Sequence, residues 1–444
     1  MLHSDRCLSH HFPCDFVRRL LWSLLLSSLL GPLAAAQQPL APLTLEDCVR
    51  KAEAAPNAIS LAEQQRDITD RDITQAHASF RPQAEILSGF VYNSPRIGDP
   101  TTFSFAPLNG ARQYTALGTI TQEFDTSGRL RAELQRARAN QQAAGVNIEI
   151  ARRDLRRAVA IAYYRLLLTR HLVTVIGAEL TESLSFQQRA QLLFEGGEVA
   201  RADVVKASAQ VAFLQQARVA AELETKLANQ DLAAFWTKDV AEPLAIVDAL
   251  ETALPAPEPE PALTNLAPYL KRLEFSLFDA ERRGFEADAR RARAALYPQF
   301  NFVYQFGIDA TTLSFRERGQ AAYFNLRIPV FDWWRTRSQT EQFKFRIAQV
   351  ETNRTISERT FSREYQNARA RVQQLFAQIA LTREQIRLSE EDLKLSRLRY
   401  EGGEGLALDV VTAQNQLAQA RSNYYTAIAN YLNARADLEA AAGK

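Results

Sequence analysis

Two periodicities divide the chain. Over most of its length apolar residues recur every three to four positions, as in Leu130, Leu134 and Ala137, then Leu155, Ala158, Val159, Ala162 and Leu166. That is the spacing of one helix face. Between Pro298 and Trp333 the period drops to two. Phe300, Phe302, Tyr304, Phe306 and Ile308 alternate with Asn301, Gln305, Gly307 and Asp309, with Val303 the exception. Ala322, Phe324, Leu326, Ile328 and Val330 then alternate with Tyr323, Asn325 and Arg327. Two strands are predicted, about 300–309 and 321–331, each with one apolar and one polar face. A less regular alternation predicts a strand over about 113–123, with Gln113, Thr115, Thr119, Thr121 and Glu123 opposite Tyr114, Ala116, Ile120 and Phe124. A fourth, the faintest, is predicted over about 84–93.

Proline placement extends the helices. None lies between Pro107 and Pro243 or after Pro329, and residues 331–400 contain neither Gly nor Pro. These stretches are rich in strong helix formers. A helix from about Ser127 to Leu193 would be roughly 100 Å long, too long for a globular core to bury. It needs helical neighbours along its whole length, as in a coiled coil. Gly196-Gly197 and Gly402-Gly403 break the two long helices, and helices returning at about 200–238 and 406–441 complete two hairpins.

The chain is duplicated. Leu193-Phe194-Glu195-Gly196-Gly197-Glu198 with Asp203-Val204-Val205 is echoed 206 positions on by Arg399-Tyr400-Glu401-Gly402-Gly403-Glu404 with Asp409-Val410-Val411. Phe124-Asp125 answers Phe331-Asp332, and Pro82-Gln83 answers Pro298-Gln299. So long a period excludes a solenoid and indicates two homologous halves, 37–254 and 262–444, joined by a Pro-rich extended linker at 255–261. Hairpin tips fall at about 195–202 and 401–408.

Composition removes several classes. The 444 residues carry 53 basic and 51 acidic side chains, a neutrality that argues against a nucleic-acid partner. Arg18-Arg19, the apolar run Leu20–Leu30 and Ala34-Ala35-Ala36 read as a signal peptide over 1–36. Its removal would leave Cys48 as the last of 3 cysteines, which excludes a disulfide scaffold. No later run of 18 apolar residues occurs, so no membrane-spanning helix is expected. There is no phosphate-binding loop, zinc-protease motif, nucleophile elbow or dinucleotide fingerprint, so no enzyme and no cofactor is expected. His77 and His171 have no ligand partner at helical spacing, so no metal site is expected. Cys48 reads as a small buried side chain, and Arg152-Arg153-Asp154 with Arg156-Arg157 as a solvated helix face.

Strands of about ten residues with one apolar and one polar face match membrane β-strands, lipid outside and water inside. Trp333 and Trp334 then stand where an interfacial aromatic girdle belongs. The alternative is a soluble sheet packed on the helices with one wet face. Four strands cannot close a ring in lipid, because open edges leave backbone groups unsatisfied. Copies must therefore pool strands: two would give about eight and a filled interior, three about twelve and a possible lumen.

The tips and the strand-to-helix junctions resemble the TolC-like outer-membrane efflux proteins of Gram-negative bacteria. The family's tip pattern, approximately R-Y-x-x-G-x-x-S-x-x-D-V-L-x-A-Q, is matched by Arg399, Tyr400, Gly403, Asp409, Val410, Ala413 and Gln414, and in the first half by Gly197, Asp203, Val204 and Ala207. The pattern P-L-F-D-x-x-x-R appears as Pro329-Val330-Phe331-Asp332 with Arg335 or Arg337, and as Glu123-Phe124-Asp125 with Arg129. The resemblance covers essentially the whole mature chain. It implies a mainly α fold with a small β part: two homologous halves, long antiparallel helical hairpins and four transmembrane strands, assembled as a homotrimer with a twelve-stranded β-barrel and an α-barrel. It implies a passive, gated exit duct in the outer membrane with a long periplasmic extension, partnered by a periplasmic adaptor, an inner-membrane pump and outer-membrane lipid.

Residue roles carry over by position. Leu408, Asp409 and Thr412 are candidates for a periplasmic gate ring, Asp409 supplying the acidic ring and Thr412 standing where relatives place a second ring residue. Asp203 and Tyr400 are candidates for a closed-state latch. Gly196, Gly197, Glu198, Gly402, Gly403 and Glu404 are candidates for adaptor docking. The sequence departs from the pattern at Gly405, where relatives carry a latch Arg, and at Ala200 and Leu406, which replace tip serines. Asp203 and Asp409 also have a purely structural reading, as carboxylates in the first turn of a helix. The rival for the whole chain is an exported periplasmic coiled-coil adaptor or scaffold with a soluble sheet.

Overall fold

The computed structural model describes residues 42–103, 111–248, 250, 252, 254–257 and 267–443. The signal peptide expected over 1–36 and positions 258–261 of the expected linker lie outside them. Two helices, α1 (Leu45–Ala54) and α2 (Ala58–Ala78), lead into strand β1 (Gln83–Tyr92). After a small ribbon of β2 (Pro95–Arg96) and β3 (Asp99–Phe103), β4 (Arg112–Phe124) returns and feeds α3 (Arg129–Glu195), which folds back as α4 (Arg201–Ala233). The second half repeats the plan with α5 (Leu273–Ala294), β5 (Gln299–Ala310), β6 (Gly319–Arg327), α6 (Arg335–Glu401) and α7 (Ala407–Ala441). The last strand stops at Arg327 rather than running to about 331. Pro329 has no N–H for the ladder and biases Ile328 away from regular pairing.

Helices α3 and α6 are each 67 residues long. Their stability comes from seams with a seven-residue repeat. On α6, Tyr365, Val372, Ile379, Leu393 and Tyr400 are all buried. On α7 an unbroken row of small residues, Ala413, Ala420, Ala427, Ala434 and Ala441, is buried as well, so the two backbones pack closely along their length. Among the described residues α3 is the one helix long and apolar enough to cross a membrane. Its apolar middle, Val159, Tyr163, Leu166 and Leu167, is buried in a core with Cys48 and Ala52 of α1 and Ile428 and Tyr431 of α7.

That core is belted by extended chain. Leu43 bridges to Ile246 in parallel register, with Leu43 N donating to Ala245 O (2.8 Å) and Val247 N to Leu43 O (2.9 Å). The Tyr163 hydroxyl donates to Val247 O (2.6 Å), and that of Tyr431 to Pro255 O. Burial pushes the Cys48 thiol up to about 11, which suits a packing role. His171 is not isolated: its Nε2 lies 2.7 Å from Asp248 Oδ2 and its ring stacks on Tyr425. Among the described residues no group of three or more His, Cys, Asp or Glu is placed to hold a metal ion.

The expectation of a wholly solvated face at 152–157 needs correction at Arg153, whose side chain is only 9 % exposed. It pairs with Glu274 of the second half (3.0 Å); Glu274 also pairs with Arg272 (2.7 Å), which reaches Glu364 on α6 (2.7 Å). Burial alone would raise the Glu274 carboxyl, but the hydrogen bonds from Arg272 and Arg153 overturn that and hold it at about 2. This network ties the halves together where α5 begins.

Candidate functional site

Strand order in the main sheet is β1-β4-β5-β6, antiparallel throughout. Register decides what each face carries. Phe90 lies opposite Tyr114, Ile86 opposite Gly118, Ile120 opposite Tyr304 and Phe124 opposite Phe300. Phe300 in turn faces Leu326, and Phe302 faces Phe324. Side chains alternate along a strand and align across it, so these residues share one face. Ring contacts run across it: Phe90–Tyr114 at 5.1 Å, Phe124–Phe300 at 5.3 Å and Phe302–Phe324 at 4.9 Å between centroids.

The other face carries Glu85, Thr115, Thr119, Asn301, Gln305, Asp309 and Asn325 in matching register. There Gln113 Nε2 and Thr115 Oγ1 donate to Asp309 Oδ1 at 2.8 and 3.2 Å. The apolar face is largely exposed, with no helix packed on it: Ile86, Phe90, Phe306, Phe324 and Leu326 all stand open. Strands β1 and β6 each have a second edge unpaired among the described residues.

Each strand-to-helix junction is organised by the Asp of the repeated Phe-Asp pair. Asp125 accepts from Leu130 N (3.0 Å) and Arg131 N (3.2 Å), and Asp332 from Thr336 N (3.0 Å). The hydrogen bonds from Thr336 hold the Asp332 carboxyl below its usual range. Both carboxylates thus meet orphan N–H groups at the positive end of a 67-residue helix. The repeat itself was the sequence signal for this role; the offset of four to six residues from the donors hid it, because a simple N-cap stands closer. Glu123 and Arg129, at the same junction, form a two-toothed pair (2.6 and 2.8 Å).

Trp333 and Trp334 follow Asp332 with φ of 52° and 63°, the only non-glycine residues with positive φ among those described. They are 83 % and 63 % exposed. Left-handed backbone at a bulky residue costs about 1 kcal/mol or more. The chain carries that strain twice in succession and presents two indoles outward.

At the other end of the helices the tips are built by glycine. Gly197 and Gly403 both have φ of +76°. Glu198 N donates to Leu193 O and Glu404 N to Arg399 O, each at 2.9 Å, and Gly197 N and Gly403 N close the inner loops to Phe194 O and Tyr400 O. This is the Schellman arrangement. Gly405 is needed for space, because a Cβ there would stand 2.9 Å from Tyr400 N. All six docking candidates, Gly196, Gly197, Glu198, Gly402, Gly403 and Glu404, are exposed.

Leu408, Asp409 and Thr412 form one exposed strip on α7, opposite the buried Ala407, Val410 and Ala413. Asp409 also accepts from Leu406 N (3.3 Å), so it serves the helix start as well. Asp203 is half-buried, and Tyr400 is buried against Phe186 with its hydroxyl unpartnered. Burial pushes the Tyr400 phenol up, and the negative charge of Asp203 pushes it further. The two latch candidates stand on different hairpins of one chain, with no hydrogen bond between them.

Sequence and structure comparisons agree with this geometry. A family model described as outer membrane efflux protein matches residues 49–237 and 272–444. No curated protein matched the chain. Among solved structures, the CmeC outer membrane channel of Campylobacter jejuni is similar with a TM-score of 0.78 at 15 % identity, covering 90 % of this chain and 85 % of that one. The outer membrane protein VceC of Vibrio cholerae gives 0.73 at 18 %, covering 90 % and 96 %. The MtrE outer membrane channel of Neisseria gonorrhoeae gives 0.73 at 18 %, covering 90 % and 88 %.

Proposed function

The chain belongs to the outer membrane efflux protein family, and from that premise we propose that three copies form the passive exit duct of a tripartite efflux or secretion system. It is an outer-membrane channel with a periplasmic extension. The observation that carries the trimer is the sheet: four strands, one continuous apolar face and two open edges. In lipid those edges must be satisfied by other strands. Two copies would give a filled eight-strand barrel, whereas three leave a lumen.

The helices support the same reading. Leu381, Leu388 and Leu395 repeat every seven residues on α6 yet are 72 %, 51 % and 52 % exposed. A heptad row of leucines without a partner in its own chain suits a seam with a neighbouring copy. The rival reading, a periplasmic adaptor with a soluble sheet, leaves the exposed aromatic face without a purpose.

At the periplasmic end the tips dock an adaptor that connects the duct to an inner-membrane pump, which supplies the energy. Leu408, Asp409 and Thr412 line the narrow mouth, and the threefold ring of Asp409 carboxylates draws cations. Tyr400 and Asp203 latch the two hairpins of each copy when the mouth is shut; the buried Tyr400 hydroxyl, which has no partner here, is the free donor such a latch would use. Trp333 and Trp334 form part of the aromatic girdle at the inner leaflet. Purified protein in planar bilayers conducts, and Asp409→Ala weakens block by divalent or trivalent cations at least severalfold. Unchanged block in the variant would remove the ring from the account.

A further inference from the structure

A groove of about 720 Å³ lies where the second half passes from helix to sheet. Its floor is apolar and aromatic: Leu296, Tyr297, Val330, Phe331 and Trp334. Val330 is 92 % exposed and Phe331 65 %, so the floor is open rather than filled by the chain. Arg293, Arg337 and Lys344 stand around it.

Two carboxylates also line the groove, and both are occupied. Asp332 caps α6 through Thr336 N, and Glu341 pairs with Arg337 at 3.2 Å. Arg293 and Lys344 have no carboxylate partner among the described residues, so neither is held in an ion pair, and the groove carries three cations against two carboxylates.

Place and chemistry together select one occupant. The groove lies just beyond the strand ends: Leu296 and Tyr297 precede β5, and Pro329 to Trp334 follow β6, the two strands whose apolar face carries Phe300, Phe324 and Leu326. Its walls come from α5, α6 and the segments joining them to β5 and to the edge strand β6. A neighbouring copy pairing with the open edge of β6 would lie beside the groove, so it is the two cations without a carboxylate partner that favour an anionic headgroup over a second copy. Apolar surface that continues into a lipid-facing sheet, beside unpaired cations at the helix side, is complementary to a molecule with acyl chains above and a negative headgroup below. Trp334 lines the groove and Trp333 precedes it, both strained and exposed, and indoles favour the interfacial layer.

We propose that this groove binds an anionic phospholipid of the inner leaflet, its phosphate held by Arg293 and Lys344 and its acyl chains laid along the apolar face. Arg337, already paired with Glu341, contributes a donor fork but little net charge. The assignment rests on the reading of the sheet as lipid-facing, and adds a headgroup preference that a generic aromatic girdle does not have.

Native mass spectrometry of the full-length assembly, released from micelles in the presence of phosphatidylglycerol or phosphatidylcholine, tests it. The wild type retains phosphatidylglycerol at least fivefold better, and the preference shrinks as salt is raised. Arg293→Gln with Lys344→Gln abolishes the preference while leaving phosphatidylcholine retention unchanged; Arg293→Lys with Lys344→Arg restores it. Equal preference in the Gln variant would overturn the site. Should that variant not assemble, a wild-type preference that is absent or insensitive to salt overturns it equally well. Competition by glycerol phosphate alone at the same concentration would mark a soluble-phosphate site and overturn the lipid assignment. A wild type that retains neither lipid and leaves membranes in alkaline carbonate would remove the membrane reading itself, a result distinguishable from loss of headgroup preference alone.

Discussion

Glu179 lies on α3 with only 4 % of its surface exposed and one carboxyl oxygen unpartnered. One turn on, the Ser183 hydroxyl meets Gln414 of α7 at 3.5 Å, and the Gln414 amide nitrogen is also unpartnered. Burial, with Glu182 adding to it, pushes the Glu179 carboxyl up to about 7. The folded-state value thus lies above the ordinary 4.5, and the folded chain binds more protons than the unfolded one between these limits. Stability from the protonated form is complete below about pH 4.5 and is lost as the pH rises through 7, by about 3 kcal/mol per chain. Glu274 behaves oppositely: held at about 2, its contribution is present above the ordinary value and lost only as the pH falls through 2. Between pH 5 and 8 the Glu274 contribution is constant and does not mask the Glu179 effect. Thermal unfolding of the wild type shifts to lower temperature from pH 5 to pH 8, and Glu179→Gln removes most of that shift. An undiminished shift in the variant would assign it elsewhere. Neither environment was fully legible locally: Glu274 pairs with Arg272 two residues away but also with Arg153, 121 positions back, and the Ser183–Gln414 contact beside Glu179 spans 231 positions. The glycine turns were legible, because left-handed backbone at Gly197 and Gly403 is a demand that their own residues meet.

At the scale of elements, alternation revealed β5 and β6 plainly and β1 barely. On β1 the two faces are mixed: Leu87 and Val91 stand on the same side as Gln83 and Glu85, and Leu87 lies opposite Leu117. That apolar pair within the polar face blurs the period of both strands in the first half. Helix positions were legible from missing prolines, but the exposed row Leu381, Leu388, Leu395 looks in sequence like the inward row of buried Ile379, partly buried Ile386 and buried Leu393. Only packing tells which row is already satisfied within the chain. The sheet faces can be separated with neighbouring residues on β6. Phe324 lies in the aromatic cluster opposite Phe302, and Asn325 lies on the polar face opposite Asn301. An arginine facing lipid costs about 2 kcal/mol or more away from the interface. Phe324→Arg therefore lowers the amount of carbonate-resistant protein in the outer membrane severalfold, while Asn325→Arg leaves it near the wild-type amount. Equal yields would mean that the two faces are exchangeable and that lipid does not distinguish them.

For the whole molecule, the duplication, the hairpins and the small sheet follow from sequence, and the Arg153–Glu274–Arg272–Glu364 network shows how the halves are joined. That joint was not legible, because Arg153 sits in a charge-rich stretch that reads as solvated until α5 packs over it. What one copy leaves open is central: two edges of the four-stranded sheet unpaired among the described residues, an exposed aromatic face and an exposed heptad row of leucines. The most direct test is the mass of the detergent-solubilised complex by native mass spectrometry, together with its mass after every lipid has been stripped. The account predicts three polypeptides, stable without bound lipid and returning to membranes on reconstitution. A single polypeptide, monodisperse in buffer without detergent, would contradict it.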